Sequence, residues 1–318
     1  MSKKQKYNGF QTASQATELF VQPHGGIGNQ LFMYFGALYL AKKLNRNLCV
    51  SMPVEHKSFD IHRGQITDFQ LEARIHFGTR VWSPKKTDLI YSRLVESNYF
   101  PKLLKQSIQG RIEQYHEKEP GYSGALEILT APRAIAGYFQ TWRYWESLPA
   151  LSKMVFVTPP ETNLVFSRLK ARIKSQESII LHIRRGDYLN NLGKMGVLGS
   201  KYYLNSIAFL RQNNVKGPIF IFSDDPDFVS REIGPLILGD WTLVDAERKL
   251  SPSETLQLMT FGKYFIIANS TFSWWAATLS GSEPTQIIAP GKWCKTGSDP
   301  IDLIPNSWMR QESIWVST

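Results

Sequence analysis

The sequence contains few cysteines and no long apolar segment. Its 318 residues include only Cys49 and Cys294, which have neither the spacing of a metal site nor the density of a disulfide-linked scaffold. No stretch approaches the roughly eighteen consecutive apolar residues of a membrane-spanning helix. Residues 1–17 are basic and polar without an apolar run, which predicts a flexible arm and no signal peptide. Together these absences favour a cytoplasmic protein in a reducing compartment.

Charge is unbalanced toward the basic side. Lysine and arginine total 37 against 27 acidic residues, a net charge of +10, which suits a nucleotide diphosphate, a phospholipid surface or a nucleic acid. A nucleic-acid-binding protein is one hypothesis, but no RNA-binding signature is present, and aromatic residues in strand and helix patterns usually belong to a core. With 42% hydrophobic residues, a chain of this length can form two moderate cores, so we expect two lobes.

The first readable unit is a strand, a glycine-containing loop, a helix and a second strand. Residues 18–22 predict the first strand, the loop Gly25–Asn29 leads into a helical pattern, and residues 47–51 predict the next strand. The loop lacks the third glycine of the dinucleotide-binding fingerprint, which disfavours that class. We expect the loop to admit a substrate close to the backbone, with the amides of Asn29 and Gln30 as donors. A purely structural turn is the alternative.

The second half of the chain alternates strands with helices. Residues 53–144 have too weak a pattern to order, whereas Thr158–Glu161 form a capping box that predicts the start of a new domain. The following helix has apolar residues at helical spacing: Leu164, Val165, Leu169 and Ile173. A second capping box is predicted at Ser251–Glu254. Strands are predicted at 178–183, 218–222, 264–268 and 285–289. This alternation predicts a parallel sheet with helices on both faces, and an N-terminal lobe (18–157) followed by a C-terminal lobe (158–318).

Three polar segments follow predicted strands, where parallel sheets bind their ligands. They are His182–Tyr188, Ser223–Asp225 and Asn269–Ser273. In the first, Arg184 and Arg185 would repel each other unless an anion or Asp187 compensates them, and a guanidinium donates paired hydrogen bonds to phosphate oxygens. The alternative is that one arginine pairs with Asp187 while the other is a solvated surface charge.

The third segment leads directly into a predicted helix. Because Asn269–Ser273 precedes Trp274 and Trp275, hydroxyls and backbone N–H groups gather at the helix start, where an anion is favoured. The alternative is that Ser270 or Thr271 only caps the helix and both tryptophans lie in the core.

The second segment is acidic. Asp224 is placed to accept hydrogen bonds from ribose or from the amino edge of guanine. The triplet Asp225–Asp227 also fits the Asp-x-Asp pattern that holds manganese or magnesium in many glycosyltransferases, although capping of a helix at the intervening proline gives the same letters. None of the six histidines has metal-ligand spacing, and only His24 and His182 border predicted loops.

Taken together, these segments resemble the motifs of the bacterial-type α-1,2-fucosyltransferases, glycosyltransferase family 11, which are related to the GDP-fucose-dependent α-1,6- and protein O-fucosyltransferases. The resemblance rests on His-Ile-Arg-Arg-Gly-Asp-Tyr at 182–188, Phe-Ser-Asp-Asp at 222–225, Asn-Ser-Thr-Phe-Ser-Trp-Trp at 269–275 and Gly-Gly-Ile-Gly-Asn-Gln-Leu-Phe at 25–32. The four motifs stand in the family's order.

The resemblance implies an α/β fold of two Rossmann-like lobes facing a cleft, the GT-B type, with GDP-fucose on the C-terminal lobe and the acceptor on the N-terminal lobe. It implies inverting transfer of L-fucose to the 2-hydroxyl of a galactoside, with no metal or other cofactor. The expected partners are GDP-fucose and a galactose-containing glycan or lipid-linked oligosaccharide, with no nucleic acid. Because the membrane anchor of animal relatives is missing, a bacterial-type enzyme of surface polysaccharide synthesis is expected. Its charge suggests peripheral contact with the anionic inner face of a membrane.

The resemblance also implies residue roles. Arg184 would hold the β-phosphate and stabilise the departing GDP, and Asp187 is the candidate base, although Arg184 would weaken it as a base. The alternative role of Asp187 is to orient Arg185. The expected substrate-binding residues are His24, Gly26, Asn29, His182, Arg185, Asp224, Ser270, Thr271, Phe272 and Ser273. A rival hypothesis is a metal-dependent glycosyltransferase that uses another nucleotide sugar through Asp225 and Asp227.

Overall fold

The structure, a computed structural model, describes residues 17–52, 66–78, 85–97, 99–153, 155, 163–245 and 249–316. It contains two sheets, and the strands within each sheet pair in parallel. The first has the order β3-β2-β1-β5-β4. Its strands are β1 (Glu18–Val21), β2 (Asn47–Met52), β3 (Arg74–Phe77), β4 (Gln114–His116) and β5 (Ala134–Ala136).

The second sheet has the order β11-β10-β9-β6-β7-β8. Its strands are β6 (Ile179–Ile183), β7 (Ile219–Ser223), β8 (Trp241–Leu243), β9 (Tyr264–Ile266), β10 (Ile287–Pro290) and β11 (Met309–Gln311). Helices cover the sheets. They are α1 (Ile27–Lys43), α2 (Lys86–Glu96), α3 (Lys102–Gln109), α4 (Ala125–Ile128), α5 (Trp142–Glu146), α6 (Leu164–Lys174), α7 (Ser200–Gln212), α8 (Pro226–Phe228), α9 (Pro252–Met259) and α10 (Thr271–Leu279). The predicted α/β class with two parallel sheets is confirmed.

The two lobes share an aromatic interface between α1 and α10. Phe35 stacks on Trp275 with ring centroids 4.7 Å apart, and Phe32 lies 4.5 Å from Trp274. All four side chains are buried. The interpretation that both tryptophans lie in the core is therefore confirmed. One continuous apolar cluster extends from the first sheet into the second lobe. This packing fixes how the amino ends of α1 and α10 meet.

Helix α6 corrects one sequence prediction. Phe166 and Ile173 are its buried residues, whereas Leu164 and Val165, assigned to the apolar stripe, are exposed. Asn163 caps this helix by accepting a hydrogen bond from the Phe166 amide at 3.0 Å. The predicted Thr158 capping box lies outside the described residues. The one predicted at Ser251 is confirmed, because the Ser251 and Glu254 side chains bond each other's backbone N–H.

Residues 53–144, whose elements the sequence pattern did not predict, include helix α2, which covers the edge strand β4 of the first sheet. Helix α2 buries Asp88 and Ser92, two polar residues. The Asp88 carboxylate accepts from the backbone N–H of Glu113 at 3.0 Å, and the Ser92 hydroxyl accepts from that of His116 at 3.0 Å. The unpaired backbone N–H groups of an exposed edge strand can bond to other chains, and here side chains of α2 accept hydrogen bonds from them.

Among the helices that the structure describes, none combines the length and the apolar character that crossing a bilayer requires.

Candidate active site

The three polar segments meet at the carboxyl edge of the second sheet. Strand β6 lies between β7 and β9, so the chain leaves these three neighbouring strands side by side. His182 is the penultimate residue of β6 and Arg184–Tyr188 follows that strand, Asp224 and Asp225 follow β7, and Asn269–Ser273 follows β9. The structure thus brings together residues that lie up to about ninety positions apart, as expected for a parallel sheet.

Arg184 is held at this edge by two carboxylates. Its Nη1 lies 2.9 Å from Asp224 Oδ2, and its Nη2 lies 2.5 Å from Asp187 Oδ1. Its side chain nevertheless remains about one-third exposed, at 32%. An arginine that is oriented on one side and open on the other can present its remaining N–H donors to a bound anion.

Arg185 has a different environment. Its guanidinium lies 3.7 Å above the ring of Phe228, and its Nε donates to Asp225 Oδ2 at 3.0 Å. Its side chain is only 14% exposed. The suggestion that Asp187 orients Arg185 is wrong, because Asp187 pairs with Arg184. Arg185 fixes the loop to α8, and its predicted contact with substrate stays a prediction.

Asp224 connects the two arginines. Besides its ion pair with Arg184, its Oδ1 accepts the backbone N–H of Arg185 at 2.9 Å. A Cβ on Gly186 would lie 2.5 Å from Asp224 Oδ2, so a glycine is needed for this close approach. In the described structure Asp224 shapes the arginine loop. Its predicted hydrogen bond to ribose or guanine would be an additional role.

His182 is buried and neutral. Burial, and to a lesser extent the positive charge of Arg184, together lower its pKa to about 3. Its Nδ1 is shielded from solvent and has no hydrogen-bond partner among the described residues, while its ring lies 5.7 Å from that of Phe272. An unpartnered buried ring nitrogen is costly in an empty site and becomes favourable when a polar ligand group reaches it.

The start of α10 has no side-chain cap. Ser270 is the N-cap residue, yet its side chain makes no capping hydrogen bond, and the first turn contains no acidic residue. The first backbone N–H groups of a helix lack partners within the helix, so Thr271 and Phe272 offer donors here. Ser273 differs from expectation: its side chain is fully buried and its hydroxyl donates to the Ser270 carbonyl at 3.2 Å. Its side chain is therefore turned away from a ligand.

The start of α1 corrects the interpretation of the glycine loop. The helix begins at Ile27, and the amides of Asn29 and Gln30 both donate to the carbonyl of Gly26, at 2.9 and 3.1 Å. The sequence-based expectation that these two amides donate to a substrate is therefore wrong, because both are already bonded within the helix. Gly26 itself is exposed, and so is His24, whose ring lies 5.4 Å from that of Tyr138.

Asn29 accepts two side-chain hydrogen bonds, and the one from Thr271 joins the lobes. Its Oδ1 accepts from Thr271 Oγ1 and from Gln140 Nε2, each at 3.0 Å. With two donors on the oxygen, the amide orientation is fixed and the Nδ2 donors face elsewhere. Sequence reasoning missed Gln140. It follows strand β5 within Gly137–Thr141, so the rule that polar residues after parallel strands face the ligand would have found it.

The amino ends of α1 and α10 touch. A Cβ on Gly28 would lie 2.5 Å from the backbone carbon of Thr271 and 2.6 Å from the amide nitrogen of Phe272. Neither helix has an acidic residue in its first turn or a side-chain cap. Each helix start carries roughly half a positive charge, so their contact beside Arg184 produces a positive potential that favours a multiply charged anion.

The triplet Asp225–Asp227 forms a helix cap and ion pairs with two arginines. Asp225 caps α8 by accepting from the Phe228 amide at 3.0 Å and also pairs with Arg185. Asp227 is 88% exposed and lies 4.0 Å from Arg231. The capping interpretation of this triplet is confirmed, and no cluster of three metal-ligating side chains occurs in the described part of the chain.

Glu117, which the sequence left unread, supports the loop that carries Gln140. Its Oε2 accepts the backbone N–H groups of Tyr138 and Phe139 at 2.6 and 2.9 Å. Burial raises the pKa of Glu117 to about 8, against the opposing effect of these two donors, and Glu96 nearby also raises it. The loop includes Phe139 at a φ of 51°, a left-handed conformation that needs such support.

We expect Glu117→Gln to weaken the pH dependence of stability. The pKa of glutamate in an unfolded chain is about 4.3, so a folded-state pKa of about 8 means that the folded protein binds the proton more tightly. The contribution of Glu117 to wild-type stability is then greatest below the unfolded pKa and is lost as pH rises toward 8, by at most about 1.4 kcal/mol per pH unit. Unfolding midpoints across this range test it, and equal slopes for both proteins would contradict it.

Comparison with known protein sequences identifies a family and several relatives of this chain. The sequence model "Glycosyl transferase family 11" covers residues 161–297, which include all three strand-end segments. The curated Alpha-1,2-colitosyltransferase of Escherichia coli is 30% identical over 295 residues, 91% of this chain and 97% of that protein. The chain belongs to glycosyl transferase family 11.

Two further relatives of this family 11 glycosyltransferase differ in coverage. The O-antigen biosynthesis glycosyltransferase WbnK of Escherichia coli is 26% identical over 90% of the chain and 97% of its own length. Galactoside alpha-(1,2)-fucosyltransferase 1 of Bos taurus is 30% identical over 105 residues, 32% of this chain and 29% of that protein. The two parallel sheets and their helices agree with the α/β class expected from the sequence.

Proposed function

We propose that this family 11 glycosyltransferase transfers L-fucose from GDP-fucose to the 2-hydroxyl of a galactoside within a glycan, with inversion at the anomeric carbon. The four motifs and the names of the α-1,2-specific relatives support this proposal. The O-antigen relative supports a surface polysaccharide or its lipid-linked precursor as the acceptor. Peripheral contact with an anionic membrane, where such a precursor would reside, belongs to the same proposal.

The observation that carries the proposal is the contact between two uncapped helix starts beside Arg184. The amino ends of α1 and α10 are so close that a Cβ on Gly28 would lie 2.5 Å from the backbone of Thr271. The partly exposed guanidinium of Arg184 follows strand β6, which is adjacent to β9 in the sheet. A diphosphate matches this arrangement because its charge is spread over several oxygens, which accept both backbone and guanidinium donors.

The reaction follows from these positions. As the acceptor oxygen attacks the anomeric carbon, the bond to the β-phosphate breaks and negative charge grows on the departing GDP. Arg184 and the first N–H groups of α10 stabilise that charge, each donor contributing about 3 kcal/mol in comparable sites. His182 offers its buried Nδ1 to the nucleotide, and Asn29 faces the donor sugar with its fixed amide. Asp187, 65% exposed, accepts the acceptor's proton.

The positive charge supplied by the chain replaces a metal ion in this proposal.

Colitose is a second candidate donor sugar, because the name of the Alpha-1,2-colitosyltransferase, of which 97% is covered by the match, indicates it. Colitose is L-fucose without the hydroxyl at carbon 3, so the two nucleotide sugars differ in one polar group. A pocket that hydrogen-bonds this hydroxyl would discriminate strongly, whereas an apolar contact would not.

We expect GDP and GDP-fucose to raise the thermal midpoint, whereas ADP and UDP leave it unchanged. At a ligand concentration about a hundredfold above Kd, the stabilisation is about 2.7 kcal/mol. The same preparation should transfer fucose to a galactoside acceptor in the presence of EDTA. Stabilisation by UDP-sugars, or transfer that stops in EDTA and resumes with manganese, would contradict the proposal. A preference for GDP-colitose over GDP-fucose in transfer would replace fucose by colitose and retain the rest.

A further inference from the structure

Helix α3 has an unusual surface for its position. None of its eight residues is buried, although the half-buried Ile108 packs against the core. Leu103 and Leu104 are 79% and 50% exposed, and Tyr99 just before the helix is 98% exposed. Single exposed apolar side chains are common, but three within six residues on one short segment form a patch that water does not favour.

The charges of this segment all have one sign. Between residues 99 and 111 the chain carries Lys102, Lys105 and Arg111 and no acidic residue. None of these three cations has an ion pair among the described residues. Exposed leucines beside unpaired cations on an amphipathic helix suit an anionic lipid surface, where apolar side chains enter the interface and cations meet phosphate headgroups.

Helix α6 shows the contrast within the same chain. It is also basic and exposes Leu164 and Val165 at its start, yet it buries Phe166 and Ile173 against the protein, and both of its lysines, Lys170 and Lys174, lie over the ring of Phe261. Helix α3 packs instead on α2, whose inner side is occupied with the edge of the first sheet. Of its apolar side chains only Ile108 contacts the core, and Leu103 and Leu104 stay exposed.

We propose that Tyr99, Leu103 and Leu104, with Lys102 and Lys105, form a docking surface for anionic membrane lipid. This patch assigns a site to the membrane contact proposed above and does not depend on the identity of the donor sugar. A bilayer is favoured over a protein partner because the patch is small and its charges are all basic, whereas the core of a protein interface is depleted in charge.

The test is co-sedimentation with vesicles of phosphatidylcholine alone or mixed with phosphatidylglycerol. Wild-type protein should bind the mixed vesicles and lose binding as salt rises. The double variant Leu103→Ser with Leu104→Ser, and separately Lys102→Gln with Lys105→Gln, should each lower the partition coefficient at least about tenfold. The matched control is Leu236→Ser with Leu238→Ser, at 58% and 89% exposure on the other lobe, which should bind like the wild type.

Each result is decisive because folding and catalysis are read separately. All variants change exposed side chains, so thermal midpoints and transfer to a soluble galactoside should match those of the wild type. Failure of the wild-type protein to bind mixed vesicles overturns the inference. Vesicle binding that is unchanged in both α3 variants also overturns it, because binding would then use residues 1–16 or another surface. Loss of self-association without loss of vesicle binding would identify the patch as a contact between copies of the chain. Loss of the nucleotide response would leave this inference standing and remove only the proposed function.

Discussion

Replacing Arg184 with lysine lowers kcat by about a hundred- to a thousandfold while the protein stays folded. Lysine keeps the positive charge but cannot donate two parallel hydrogen bonds to phosphate oxygens. Because Asp187 and Asp224 still face a cation, the loop after β6 keeps its charge balance. The loss should appear in kcat more than in KM, since the interaction strengthens as charge develops on the departing GDP.

The matched control for this substitution is Arg185→Lys. Arg185 stacks on Phe228 and bonds Asp225, so its loss should lower the thermal midpoint and change kcat less than the Arg184 variant does. Steady-state kinetics with GDP-fucose and thermal unfolding of both variants make the comparison. A kcat for Arg184→Lys within about threefold of the wild-type value would remove Arg184 from its assigned role.

Substituting Gly28 with alanine destabilises the protein and lowers kcat/KM at least about tenfold. In an isolated helix the change would be favourable by up to about 1 kcal/mol. Here the new Cβ would lie 2.5 to 2.7 Å from backbone atoms of Thr271 and Phe272, which cannot rotate away. Overpacking of this kind costs about 1 to 3 kcal/mol or more, and relief requires the two lobes to separate.

Gly26→Ala is the control for stability. The position is exposed, its φ is −67°, and a Cβ there would meet nothing within 4 Å. We expect an unchanged thermal midpoint for Gly26→Ala and a clear decrease for Gly28→Ala. If Gly28→Ala retains both the wild-type midpoint and wild-type kcat/KM, the close approach of α1 to α10 does not position the site.

The C-terminal lobe could be predicted from sequence to a large extent. The apolar run ending at Ile183 can be buried only between neighbouring strands, and the polar residues that follow must then lie at the carboxyl edge. The Ser251 capping box and the buried Trp274 and Trp275 were equally readable, because each depends on residues close together in the chain.

The N-terminal lobe was less readable for a physical reason. Strands β4 and β5 have three residues each, and their burial comes from partners distant in sequence. Glu117 is identified by the loop it supports, and Asp88 by the strand edge it engages. Neither contact has a local pattern, since both depend on where α2 and the loop after β5 pack.

The α/β class, the order of the four motifs and the residues that gather at the strand ends could all be inferred from the amino-acid sequence. These features follow from short-range periodicity and from the rule that parallel strands end at one edge. Tertiary packing sets which arginine stays open to a ligand, turns Ser273 inward, and brings Gln140 from the same lobe and Thr271 from the other lobe onto Asn29. Those outcomes depend on distances of a few ångströms between segments far apart in the chain, which residue spacing does not encode.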